Sequence, residues 1–154
     1  MVTLQEQQWQ FDEITGLPTE AYFAELLDQT WVACEGEPFV IVAFDLRGFG
    51  RFVEQYGEKT AQECVRRTTQ TVESMIPKPG CRMSRYGPGR FLVMLPGFDA
   101  DEGRILVRHL ERSIADLELS LSLTVQLVSG SVYDGVSGRD LLNRAVSLLD
   151  ARSN

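Results

Sequence analysis

The run Phe39-Val-Ile-Val-Ala-Phe44 constrains this chain more than any other feature. It is continuously apolar, rich in β-branched residues and of strand length, with no polar position to face water. A run of this kind predicts a central strand buried on both faces and ending at Asp45. A strand covered on both sides needs helices above and below it, so the run already implies an α/β layer structure.

The rest of the pattern supplies those layers. Asp12 to Pro18 reads as a turn, with Gly16 permitting positive φ and Pro18 fixing the exit. A helix follows from a Thr19 cap, with Ala21, Phe23, Leu26 and Leu27 as its apolar positions. After Asp45 comes a glycine-punctuated segment through Phe49, Phe52 and Tyr56 to Gly57. A second helix is predicted from Thr60 to about Ile76, with Ala61, Cys64, Val65, Thr68, Val72 and Met75 on one face. Cys81 to Tyr86 and Phe91 to Leu95 read as a β-hairpin around Gly87-Pro-Gly-Arg90. Proline second and glycine third in that turn specify type II, which needs positive φ at Gly89. A third helix covers about Ala100 to Ala115 through Ile105, Leu106, Leu110 and Ile114. Residues 121–128 alternate as a strand with one core face, and a last helix, about Arg139 to Ala151, carries Leu141, Leu142, Ala145, Leu148 and Leu149. The expectation is one α/β domain, a mostly antiparallel central sheet flanked by helices. Residues 1–11 form a polar, helical lead-in, and the domain fills 12–154.

Composition narrows the function. The 154 residues are 44% hydrophobic and 24% charged, as in a soluble globular domain. No stretch approaches the ~20 apolar residues of a membrane span, and polar Met1 to Gln10 is not a signal peptide. Cys34, Cys64 and Cys81 show no metal-ligand spacing and fit a reducing cytoplasm. A net charge of −7 argues against nucleic acid as a partner. The local exception is Arg82, Arg85 and Arg90, candidate anion contacts that also fit a solvated face. His109 has no Ser, Cys or carboxylate constellation around it and reads as a surface or boundary residue. Trp9 and Phe11 are expected to pack within the chain.

Four segments, in order, resemble the GGDEF family of cyclic di-GMP synthases. Asp12-Glu-Ile-Thr-Gly-Leu-Pro-Thr19 is similar to its opening D-x-L-T-G-L-P-N. Phe44-Asp-Leu-Arg-Gly-Phe49, leading to Tyr56-Gly57, is similar to its D-x-D-x-F-K and N-D-x-Y-G-H stretch. Arg85-Tyr-Gly-Pro-Gly-Arg-Phe91 stands where the family has R-Y-G-G-D-E-F, and Leu141-Leu-Asn-Arg-Ala145 resembles its closing L-L-x-x-A-D helix. The resemblance runs from Asp12 to about Leu149 and implies a nucleotidyl cyclase, palm-like fold.

The family's reaction joins two GTP molecules held by facing protomers, with a magnesium pair on carboxylates. Carried over, one metal carboxylate corresponds to Asp45, a vestigial metal position whose bland reading is a cap on the following turn. The other corresponds to Gly89, beside Arg90, in a degenerate signature turn of Gly87, Pro88, Gly89, Arg90 and Phe91. The phosphate-binding lysine corresponds to Gly50, and the guanine-reading asparagine and aspartate to Val53 and Gln62. The family's inhibitory R-x-x-D corresponds to Lys78-Pro-Gly-Cys81, which lacks both the bidentate fork and the carboxylate. The resemblance therefore implies no catalytic residues, no metal and no cofactor. It implies a catalytically inactive cytoplasmic module of bacterial cyclic-di-GMP signalling, with protein partners and a homodimer in view. The alternatives are a GTP or cyclic di-GMP receptor without turnover, and a class III nucleotidyl cyclase, for which no second metal aspartate is evident.

Overall fold

A computed structural model describes residues 9–76 and 79–153. The lead-in before Trp9 and Lys78 of the inhibitory-site window lie outside the described residues. Strand β1, Phe39–Arg47, is buried from Phe39 to Phe44. It runs two residues past Asp45, because the neighbouring strand β4 (Ser122–Gly130) pairs with it as far as Arg47 opposite Ser122. On its other side β1 pairs with β3 (Arg90–Pro96), which pairs in turn with β2 (Arg82–Gly87). The sheet order is β2-β3-β1-β4, and all three pairings are antiparallel.

Alternation along β1 divides the core in two. Val40, Val42, Phe44 and Leu46 face α3 (Glu58–Met75) and α4 (Ala100–Ala115). Phe39, Ile41 and Ala43 face α1 (Glu20–Ala33) and α5 (Gly138–Ser153). Each fully buried Val, Ile or Phe contributes about 1.5–3 kcal/mol of transfer free energy, so this strand anchors both layers. Its Phe44 stacks on Phe91 of β3 with ring centroids 4.9 Å apart.

Helix starts follow their capping signals. The Thr19 hydroxyl accepts from the Tyr22 N–H at 3.3 Å, and Asp99 with Glu102 forms a reciprocal capping box at α4. The glycine-punctuated segment is itself a helix, α2 (Phe49–Tyr56), entered through Gly48 at φ 78°. Phe49, Phe52, Val53 and Tyr56 recur at helical spacing, and Phe52 inserts into the core. Helix α3 begins at Glu58, two residues before the expected Thr60, because Gly57 ends α2 and leads directly into it. Three apolar positions differ from expectation. Ala21 is exposed, with Ala24 taking its place beside Phe23, Leu26 and Leu27 in α1. Ile105 is 65% exposed and Leu148 is 39% exposed, since the packed stripes run through Gly103, Leu106, Leu110 and Ile114 in α4 and through Leu141, Leu142, Ala145 and Leu149 in α5.

Buried Gly103 sets the height of α4 above the sheet. A Cβ there would stand 2.8 Å from Leu127 Cδ1 and 3.1 Å from Val40 Cγ1. Val40 sits in the central strand and cannot retreat. Gly103→Val is therefore expected to lower unfolding free energy by about 1–3 kcal/mol through overpacking, despite valine's better helix propensity. Denaturant unfolding of the two proteins checks this.

Candidate functional site

The segment from Asp12 to Leu17 forms a tight turn at the sheet end where β1 finishes. The Asp12 carboxylate accepts from the Thr15 N–H at 2.9 Å and from its hydroxyl at 2.7 Å. Gly16 takes φ 73°, as the turn requires. Arg85 of β2 reaches this carboxylate through Nη1 at 3.3 Å. The same guanidinium donates through Nε and Nη2 to the Pro88 carbonyl at 3.1 and 2.6 Å. Arg85 thus ties the N-terminal turn to the hairpin tip.

That grip shapes the tip. Gly89 does not adopt the positive φ of a type II turn. Arg85 holds the Pro88 carbonyl, while the Gly89 carbonyl accepts from the Leu46 N–H at 2.8 Å. These two bonds fix the turn's peptide planes, and the strand pair shifts register between Arg85 and Gly87. Space at 89 is tight for a different reason. A Cβ there would lie 3.0–3.1 Å from Phe49 side-chain atoms.

Arg90 opens β3 directly opposite Asp45. Its Nη1 donates to Asp150 Oδ1 in the last turns of α5, and its Cζ lies 6.0 Å from the Tyr86 ring centroid. Burial disfavours the Arg90 charge, but the Asp150 hydrogen bond and the fields of Tyr86, Asp45 and Asp150 outweigh it and raise its pKa. Burial also drives the Tyr86 phenol well above the usual tyrosine range; Arg90 opposes this, and Asp150, Asp45 and Glu20 add to it. The Tyr86 hydroxyl is buried with no hydrogen-bond partner among the described residues. Arg82 stands apart from the other two arginines, at the opposite end of β2 beside Gly16 and Glu73.

Between the hairpin, the end of β1, α2 and the start of α3 lies an open cleft of about 1260 Å³. Asp45, Arg85 and Arg90 line it, and so do Gly50, Val53 and Gln62. The family model described as "Diguanylate cyclase, GGDEF domain" matches residues 9–149. The chain belongs to the GGDEF domain family.

Solved structures agree in fold. The GGDEF domain of FimX from Pseudomonas aeruginosa superposes with a TM-score of 0.82 at 16% identity, over 94% of this chain and 93% of that one. The GGDEF domain of DgcB from Caulobacter crescentus, in complex with c-di-GMP, gives 0.78 at 19% identity, over 92% and 86%. Diguanylate cyclase SiaD in complex with its activator SiaC, from Pseudomonas aeruginosa, gives 0.79 at 19%, over 92% and 57%. Comparison of the sequence with curated proteins finds no match.

The magnesium pair implied by the GGDEF reaction does not fit the side chains present. Hard divalent cations need several oxygen ligands. Here Asp45 faces a guanidinium across the strand pair, and position 89 is a glycine with no side chain to offer a ligand. Among the described residues no group of three or more His, Cys, Asp or Glu is gathered for a metal ion. The sequence singles out Asp45, Arg85 and Arg90 but not the pairing of Arg85 with Asp12 or of Arg90 with Asp150 and Tyr86. Asp150 lies sixty positions from Arg90, beyond any local spacing rule.

The Gly89–Phe49 approach is testable. Gly89→Ala is expected to destabilise the domain by about 1–3 kcal/mol. Adding Phe49→Ala should return part of that loss, a coupling that a merely conformational role for glycine would not show. Thermal unfolding of the four proteins in the cycle measures it.

Proposed function

We propose that this GGDEF domain makes no cyclic di-GMP and serves as a cytoplasmic regulatory and protein-interaction module in bacterial cyclic-di-GMP signalling. The observation that carries the reading is the placement of Arg90, opposite Asp45 and hydrogen-bonded to Asp150. A cation held at this point competes directly with a metal ion for the Asp45 field. No helix among the described residues is long and apolar enough to cross a membrane. The SiaD–SiaC complex offers a precedent within this fold for engagement by a protein partner.

A second reading, a GTP or cyclic di-GMP receptor without turnover, draws on the size of the cleft and on the c-di-GMP complex of DgcB. Charge weighs against it. Glu20, Glu54 and Glu58 line the cleft beside Arg51, while Arg85 and Arg90 have carboxylate partners. A triphosphate would have to displace those pairs and would still meet the three glutamates.

Incubation of the purified chain with GTP and magnesium is expected to give no cyclic di-GMP by chromatography; its formation would refute the proposal. Calorimetric titration with GTP and with cyclic di-GMP separates the two readings, heat with either favouring the receptor. Gly89→Glu with Arg90→Glu is expected to leave the cyclase assay blank. Gly50, Val53 and Gln62 remain unchanged.

A further inference from the structure

One ion pair joins the cleft to the C-terminal helix. Alternation along β1 and β3 puts Asp45 and Arg90 on the face of Ala43 and Leu92, which α1 and α5 cover. Arg90 therefore stands between two carboxylates, Asp45 across the strand pair and Asp150 in α5. Arg90 and Asp45 line the cleft, whereas Asp150 lies outside it.

Two features let that pair open and reclose. α5 packs on β4, β1 and α1, and its last apolar anchor, Leu149, is fully buried. Past that anchor Asp150 is half-buried, and Ala151 and Arg152 are exposed. The side chains of Arg90 and Asp150 are themselves 30% and 49% exposed, so water can replace either partner at small cost. At its other end the pair touches the cleft wall. Arg90 follows directly on Gly89, whose carbonyl accepts from the Leu46 N–H at 2.8 Å. A displacement of Arg90 is thereby felt at Leu46, next to Asp45.

We propose that the last turn of α5 is a latch that sets the charge of the cleft. Latched, Asp150 draws the guanidinium towards the helix. Released, Arg90 turns onto Asp45, and the hairpin tip moves with it. Coupling of this kind is reciprocal, so a ligand or partner that engages Arg90 or Asp45 also changes the hold on the end of α5. Such a latch works whatever fills the cleft, and the cyclase and titration experiments can fail without touching it.

Amide hydrogen exchange on the full chain reads both ends. Asp150→Asn is expected to speed exchange of Leu46 about two- to fivefold, and Arg90→Gln to do the same for the amides of Asp150 to Arg152. Ile41 and Val42, in the buried strand, report global unfolding and should change less. Asp150→Glu keeps the carboxylate and should leave Leu46 slow. NMR of the Arg90 Nε–H follows the guanidinium itself: Asp45→Asn should shift that signal further in the Asp150→Asn background than in the parent chain. Four outcomes would each overturn the latch: exchange unchanged at either end, exchange that rises only in step with Ile41 and Val42, an Asp150→Glu protein as fast as Asp150→Asn, or an Arg90 signal equally sensitive to Asp45→Asn in both backgrounds.

Discussion

The structure depends on the burial of β1 on both faces. A strand in that position has no freedom of register, because a one-residue slip would carry each side chain into the opposite layer. Val40, Val42 and Phe44 must meet α3 and α4, and Phe39, Ile41 and Ala43 must meet α1 and α5. With that fixed, the pairing partners of every β1 residue are fixed as well. Asp45 necessarily lies between Arg90 of β3 and Thr124 of β4. The electrostatic character of the site end is thus set by core packing some distance away.

Two arginines convert this geometry into a closed frame. Arg85 joins the Asp12 turn to the Pro88 carbonyl, and Arg90 joins the start of β3 to the end of α5. The Arg85–Asp12 pair is the more sheltered, with side chains 12% and 22% exposed. Such a pair resists screening better than the exposed Arg104–Asp101 pair, whose net contribution is small. Cations that could have greeted a phosphate instead hold three remote segments of chain together. Removing one partner would strand the other in a half-buried setting.

The sequence shows the elements of this fold clearly, since helices and strands carry their own periodicity. The β1 run, the Thr19 cap, the span of α4 and the antiparallel hairpin are all legible locally. Helix α2 had a legible signal in Phe49, Phe52, Val53 and Tyr56, masked by Gly48, Gly50 and Gly57 around it. Gly48 supplies the left-handed entry that the helix needs. The site was legible only on one side of each interaction. Arg85 and Arg90 stand out in the sequence, but their carboxylate partners come from the far ends of the chain. Three nearby arginines in sequence therefore suggested one anion site, while the fold sends Arg82 to the other end of β2.

Gly89 shows why turn chemistry alone misleads. Pro-Gly in a hairpin has a strong local preference for type II geometry, yet the neighbouring groups decide the outcome. Rotating the Pro88–Gly89 peptide into that geometry would take the Pro88 carbonyl away from Arg85, whose Nε and Nη2 both point at it. Two charge-assisted hydrogen bonds from one guanidinium hold that carbonyl in place against the local turn preference. Freed from the need for positive φ, Gly89 sits where an added Cβ would come 3.0 Å from half-buried Phe49, a contact that a shift of a few tenths of an ångström relieves. A substitution at 89 alone would still leave Arg90 opposite Asp45 and joined to Asp150.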